Sequence, residues 1–205
     1  MLCKGMKVAT SLRCTVRERV LVLTLESDEG LPRIQRHILK EIERRVERLD
    51  ATREFGGCVI TGTERAFAVG ADIAELARLT PAEAYEFSRE GQRVMRLIER
   101  SRVPVVAAIQ GYCIGGGLDL ALACHVRIAT SDAIFAHPGG ALGILTGWGG
   151  TQRLSRLIGR GQALEMLSTG RRLSAQEAHE CGLVARTVPA DDLLSVAAQL
   201  SRGIA

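Results

Sequence analysis

Apolar and polar residues alternate over 12–16 and again over 20–25, with a charged break at 17–19, and this predicts two paired strands. From 31 to 49 the period changes. Ile34, Ile38, Ile42, Val46 and Leu49 recur at helical spacing, while Arg36, Lys40, Glu43, Arg44 and Glu47 take the opposite face as a solvated charge run. Residues 57–61 read as a buried strand, followed by a glycine-containing loop to Ala71. Thr80-Pro81-Ala82-Glu83 combines an N-cap, a proline at the first helical position and a capping-box glutamate, opening a helix to about Arg100.

The second half continues the alternation. An apolar strand is predicted over 103–110, then the glycine turn at 111–117, then a short apolar helix through Ala123. Residues 125–129 and 133–136 are strand-like, and the six glycines within 138–150 exclude a regular element there. Helices are expected from about Thr151 and Gln162. Ser174-Ala175-Gln176-Glu177 is a second capping box, with Gly182 ending its helix. A strand over 183–188 leads to Asp191 and a last helix. The expected class is α/β.

Composition narrows the function classes. Of 205 residues, 46% are hydrophobic and 24% charged, the values of a folded chain able to bury a core without disulfides. The net charge is +4; Lys4, Lys7 and Lys40 are the lysines, and the rest of the 27 basic residues are arginines. Both signs are interspersed and aromatics make up 3%, so a nucleic-acid module is not expected. Cys3, Cys14, Cys58, Cys113, Cys124 and Cys181 form no CxxC pair, and no zinc or redox motif emerges. Met1 to Lys7 lacks an apolar leader core and no stretch reaches membrane-spanning length, so the expectation is a reduced, cytoplasmic protein.

Two glycine-bearing turns each follow a buried strand: AFAVGADI at 66–73 and GYCIGGGLD at 111–119. Neither GxxxxGK[ST] nor GxGxxG occurs, so neither turn is a phosphate loop. Three consecutive glycines before a helix bring backbone N–H groups close to a ligand at the positive end of the helix dipole. One such amide from each turn could hold a single carbonyl oxygen as its charge grows.

These turns, with PVVAAIQGYCIGGGLDLALAC at 104–124, GWGGTQRLSRLIG at 147–159 and LSAQEAHECGLV at 173–184, resemble the crotonase (enoyl-CoA hydratase/isomerase) superfamily, in the family's order. The resemblance implies an α/β spiral of ββα units in one domain over 1–205, with a shortened C-terminal helical region and a homo-oligomer, a trimer or dimer of trimers. It implies an acyl-CoA thioester substrate whose enolate is stabilised by the amides of Ala71 and Gly116. It places Arg65 and the turn of Ala71, Asp72, Ile73 and Ala74 along the CoA moiety, although Asp72 itself reads as a helix cap. No metal or resident cofactor is implied, coenzyme A entering as part of the substrate, and neither nucleic acid nor membrane is an expected partner.

Asp119 is the expected acid/base group, because it falls in the first helical turn after Gly116; the alternative is a solvent-facing charge at a helix N-terminus. The main departure from the family is His137-Pro138-Gly139-Gly140, where Gly139 stands at the position of the second hydratase carboxylate. Adding water across a double bond needs one proton removed and another delivered, which glycine cannot do. His137 reads as a loop histidine bonded to backbone, its imidazole being the alternative proton carrier. His125 and His179 read as structural, and His37 sits on the charged helix. In ESDEGLPRI at 26–34, Pro32 replaces the family's asparagine. Hydration, double-bond isomerisation and decarboxylation all stay open, and so does a non-catalytic CoA-binding scaffold.

Overall fold

The computed structural model describes residues 10–52 and 54–203; Cys3, the 1–7 stretch and Ala205 lie outside them. Strands β1 (Thr10–Arg17) and β2 (Val20–Ser27) pair antiparallel from Thr10 opposite Ser27 to Arg17 opposite Val20. Glu18 and Arg19 make the tight turn between them, both at positive φ, as a two-residue hairpin that matches the strand twist requires. Helix α1 (Arg36–Ala51) buries Ile38, Leu39, Ile42, Val46 and Leu49. It begins five residues later than the apolar period suggests, because Pro32 and Ile34 are committed to another contact described below.

From there the chain climbs in units of two strands and a helical segment. Strands β3 (Gly57–Thr61) and β4 (Ala66–Ala68) precede α2 (Ile73–Leu76) and α3 (Pro81–Glu99). Strands β5 (Val105–Ile109) and β6 (Tyr112–Ile114) precede α4 (Gly116–Ala123). Strands β7 (Val126–Ala129) and β8 (Ile134–Ala136) precede a 3-10 turn at Pro138–Leu142 and then α5 (Gly150–Ile158). The rest is α6 (Arg160–Thr169), β9 (Arg172–Ser174), α7 (Ala175–Glu180), β10 (Arg186–Thr187) and α8 (Leu193–Gly203).

Each of the three β-β units gives its first strand to one sheet and its second to another. The large sheet runs β1-β2-β3-β5-β7-β10, parallel from β2 onward; the small sheet runs β4-β6-β8-β9, antiparallel only between β8 and β9. This is the α/β spiral of ββα units expected from the motifs. Strands β3 and β5 are buried along their whole length, which is why they read as unbroken apolar runs. One core fills the space beneath α1, α3 and α4; a smaller one, with Val59, Val106 and Ile128, is covered by Leu193 and Ala197 of α8.

Several local expectations change. Strands β4, β6 and β9 were not legible, since three residues beside glycines carry no measurable alternation. The strand expected over 183–188 contracts to Arg186–Thr187, because Leu183 and Val184 are buried at the turn after α7, where the Val184 N–H donates to the Ala178 carbonyl. Both capping boxes form as read, Thr80 with Glu83 and Ser174 with Glu177. The described cysteines are free thiols, and burial pushes Cys124 up to about 12 and Cys58 and Cys113 well above the usual thiol range, as inert core residues.

Candidate active site

The two glycine turns meet. Gly70 (φ 97°) and Gly115 (φ 54°) each adopt a left-handed backbone that a side chain would strain. A Cβ added at Gly70 would sit 3.3 Å from the Gly116 nitrogen, and one added at Gly116 would sit 3.3 Å from the Ala71 nitrogen. The two amide nitrogens therefore lie across a narrow gap. As the first residue of α4, Gly116 has an N–H with no acceptor within its own helix. Behind the first turn, the Val69 N–H donates to the Pro32 carbonyl and the Ile34 N–H to the Gly70 carbonyl, so the segment that departs from the family pattern still braces this turn.

A cavity of about 600 Å³ opens over the turns. Ala71, Ile73, Gly116, Asp119, His137 and Gly139 line it, together with apolar residues including Leu76, Leu79, Phe87, Ile144 and Trp148. The Trp148 ring is buried edge-on against Phe87, with ring centroids 5.4 Å apart. Its position depends on glycine at 116, where a Cβ would approach the ring to 2.5 Å.

Asp119 does not face solvent. It is 1% exposed on α4, where its N–H donates to the Gly115 carbonyl. Helix α4 is held from its other end by Arg127, whose buried guanidinium donates to the carbonyls of Ala121, Cys124 and Leu183. Burial lowers the pKa of Arg127, with carbonyl dipoles rather than a carboxylate facing it.

Three groups from distant points in the chain converge on the carboxylate. The Thr146 hydroxyl donates to Oδ2. His137, 3% exposed, places Nε2 at 3.1 Å from Oδ1, yet neither of these two atoms has an aligned hydrogen-bond partner. Gly150 closes the other side: a Cβ there would collide with Oδ1 and lie 3.0 Å from Nε2. The loop carrying Thr146 and Trp148 is tethered to α3, since Ser88 and Gln92 both donate to the Gly147 carbonyl at 2.8 Å.

This corrects the reading of His137 as a backbone-bonded loop residue. The other histidines do make backbone contacts: His125 Nδ1 accepts from the Val105 N–H, His179 Nδ1 is 3.3 Å from the Val184 carbonyl and His37 Nε2 is 3.0 Å from the Thr10 carbonyl. Thr146 and Gly150 were not singled out from sequence, and nothing local marks them. Among the remaining sequence candidates, Asp72 caps α2 through the Ala74 N–H at 2.9 Å and also accepts from Gln35 at 3.0 Å. Arg65, Asp72 and Ala74 stand outside the cavity lining, and the Arg65 guanidinium donates to the Glu29 carbonyl at 2.6 Å. Among the described residues no three His, Cys, Asp or Glu side chains gather as a metal site, and no helix is long and apolar enough to cross a membrane.

The enoyl-CoA hydratase/isomerase family model matches residues 15–205. "Probable enoyl-CoA hydratase echA8" of Mycobacterium tuberculosis is 42% identical over 180 residues, 88% of this chain and 69% of that protein. The crotonyl-CoA hydratase of Syntrophomonas wolfei is 40% identical over 178 residues, 86% of this chain and 68% of its own. Among solved structures, an enoyl-CoA hydratase from Bacillus anthracis superposes with a TM-score of 0.88 at 35% identity, covering 95% of this chain and 76% of that one. In sequence and in the spiral of paired strands alike, this chain belongs to the enoyl-CoA hydratase/isomerase family.

Proposed function

We propose that the chain acts on acyl-CoA thioesters, holding the thioester carbonyl oxygen between the N–H groups of Ala71 and Gly116 and moving protons with Asp119. The observation that carries the reading is the burial of Asp119 at 1% exposure in the wall of the same cavity that both turns line. A buried carboxylate is expensive to keep even with the Thr146 hydroxyl donating to it, so one placed in a cavity wall points to a working group.

The chemistry follows from the arrangement. When a proton leaves the acyl chain, or when a nucleophile adds to its double bond, charge accumulates on the thioester oxygen. Two preorganised N–H donors stabilise that enolate without reorganising, and losing one such donor costs about 10²–10³ in rate. The acyl group lies among the apolar cavity residues Leu76, Leu79, Phe87 and Ile144. The CoA portion runs outward along Ile73 and Ala74 toward Arg65. One carboxylate is enough for isomerisation, because Asp119 can remove a proton and return it elsewhere on the chain.

Calorimetry with crotonyl-CoA and with free CoA tests the reading, paired with turnover of 2-enoyl- and 3-enoyl-CoA. Saturable binding with turnover of at least one substrate is the expected result. Absence of binding at millimolar concentration overturns it. The proposed homo-oligomer is checked by light scattering on the 22.1 kDa chain, where a strictly monomeric mass counts against it.

A further inference from the structure

We propose that Trp148 sets the acyl specificity of this site: its indole edge fills the space beside the thioester carbonyl, so the site takes straight-chain acyl groups and rejects those branched at the α-carbon. The inference rests on the thioester reading above and deepens it by naming the substrate class.

The indole is seated by glycines on two different helices. A Cβ on Gly91, in the interior of α3, would collide with Cδ1 and Nε1 of the ring. One on Gly116, at the start of α4, would fall 2.5 Å from Cζ3 and 2.9 Å from Cε3. The pyrrole edge therefore fills one notch and the benzene edge the other. Glycine weakens a helix interior, and at 91 the close approach of the ring is what requires it. Phe87 meets the indole at 63°, and the Arg36 guanidinium backs Phe87 at 5.5 Å from its centroid. The backbone is pinned as well. Ser88 and Gln92 hold the Gly147 carbonyl, and Arg153, paired with Glu99 of α3 at 2.8 Å, donates to the Trp148 carbonyl at 3.1 Å. The ring is a fixed wall.

Its place relative to the reacting atoms follows from Gly116. The point that a Cβ would take on Gly116 is 2.5 Å from the ring and 3.3 Å from the Ala71 nitrogen. The benzene edge and one of the two donors to the thioester oxygen thus flank the same spot. Trp148 is 4% exposed, yet it stands in the cavity lining with Gly116 and Ala71. With the oxygen held between the two amides, the α-carbon lies two bonds away, next to the ring edge. A hydrogen on that carbon fits; a methyl group meets packed carbon atoms that have no room to retreat. The unbranched chain continues along Leu76, Leu79 and Ile144.

The test compares wild type, in which Trp148 is the one tryptophan, with Trp148→Leu. Saturated thioesters keep turnover out of the measurement: butyryl-CoA is the straight chain, 2-methylbutyryl-CoA the branched one and free CoA the reference. Kd is read by calorimetry, with Tm alongside. Wild type should bind butyryl-CoA at least about tenfold tighter than the branched thioester, and in Trp148→Leu that ratio should fall below about threefold. The tryptophan emission of wild type should shift with butyryl-CoA and stay unmoved by free CoA. Should leucine at 148 prevent folding, Trp148→Phe carries the same comparison, with a smaller fall in the ratio. Equal weakening of both thioesters in the variant is what a purely structural tryptophan gives, and it overturns the proposal. So does a wild type that binds both thioesters equally, or an emission that bound butyryl-CoA leaves unchanged; these outcomes leave the thioester reading standing. A wild type that binds neither thioester brings down both.

Discussion

Gly150 lies against the Asp119 carboxylate so closely that a methyl group on it would occupy the space of Oδ1 and come within 3.0 Å of His137 Nε2. The first residue of α5 is therefore part of the wall that holds the acidic group in place, although it carries no side chain. Gly150→Ala should displace either the carboxylate or the start of the helix, costing about 1–3 kcal/mol as overpacking does. Turnover should drop with it. Gly161→Ala is the matched control, since a methyl group there meets nothing within 4 Å and alanine favours the helix. Thermal unfolding and kcat on both variants check the contrast; an unchanged Tm and kcat in Gly150→Ala would refute it.

Asp119→Asn keeps the size of the side chain but cannot accept a proton. Proton-transfer turnover should fall by about 10²–10⁴ while calorimetric affinity for an acyl-CoA stays close to wild type. Full activity in this variant would reduce Asp119 to a buried helix charge.

Restoring a carboxylate by Gly139→Glu should fail to raise hydration. A Cβ at 139 would stand 2.7 Å from the Ile144 carbonyl oxygen, while the Ile144 N–H donates back to the Gly139 carbonyl at 3.0 Å. The loop is folded around glycine, so the new side chain must push away the segment that carries Thr146 and Trp148. The expected result is lower Tm and lower turnover of crotonyl-CoA; hydration above wild type would show that the loop yields easily.

The ion pair between Glu43 of α1 and Arg93 of α3 gives a pH-dependent prediction. The hydrogen bond from Arg93 holds the Glu43 carboxyl below its ordinary range. A depressed folded-state pKa contributes stability above the unfolded value and loses it as pH falls through the folded one. Arg93 is largely exposed, so solvent screening limits the pair to about 0.2–1 kcal/mol. Glu43→Gln should therefore lower Tm slightly at pH 7, and the gap should be narrower at pH 3. A gap of the same size at both pH values would assign the effect to packing.

What the sequence determined by itself was whatever acts over one or two turns of chain. The Ile34 to Leu49 period, the unbroken apolar runs of β3 and β5 and the two capping boxes are local codes, and the glycine turns with Asp119 one helical turn beyond Gly116 carried both the family resemblance and the candidate acid. The three-residue strands β4, β6 and β9 belong to no local code, since their hydrogen bonds come from neighbouring strands of the small sheet, β9 from β8 alone. The surroundings of Asp119 are of the same kind. His137 follows β8, Thr146 stands in the glycine loop and Gly150 opens α5; only the stacking of one β-β unit on the next brings them to a carboxylate on α4. Periodicity and capping reach about four residues along the chain. The Thr146 hydroxyl reaches Asp119 across 27. Which polar groups would share the buried space was decided by packing, because a buried carboxylate must be met by whatever the tertiary fold sets beside it.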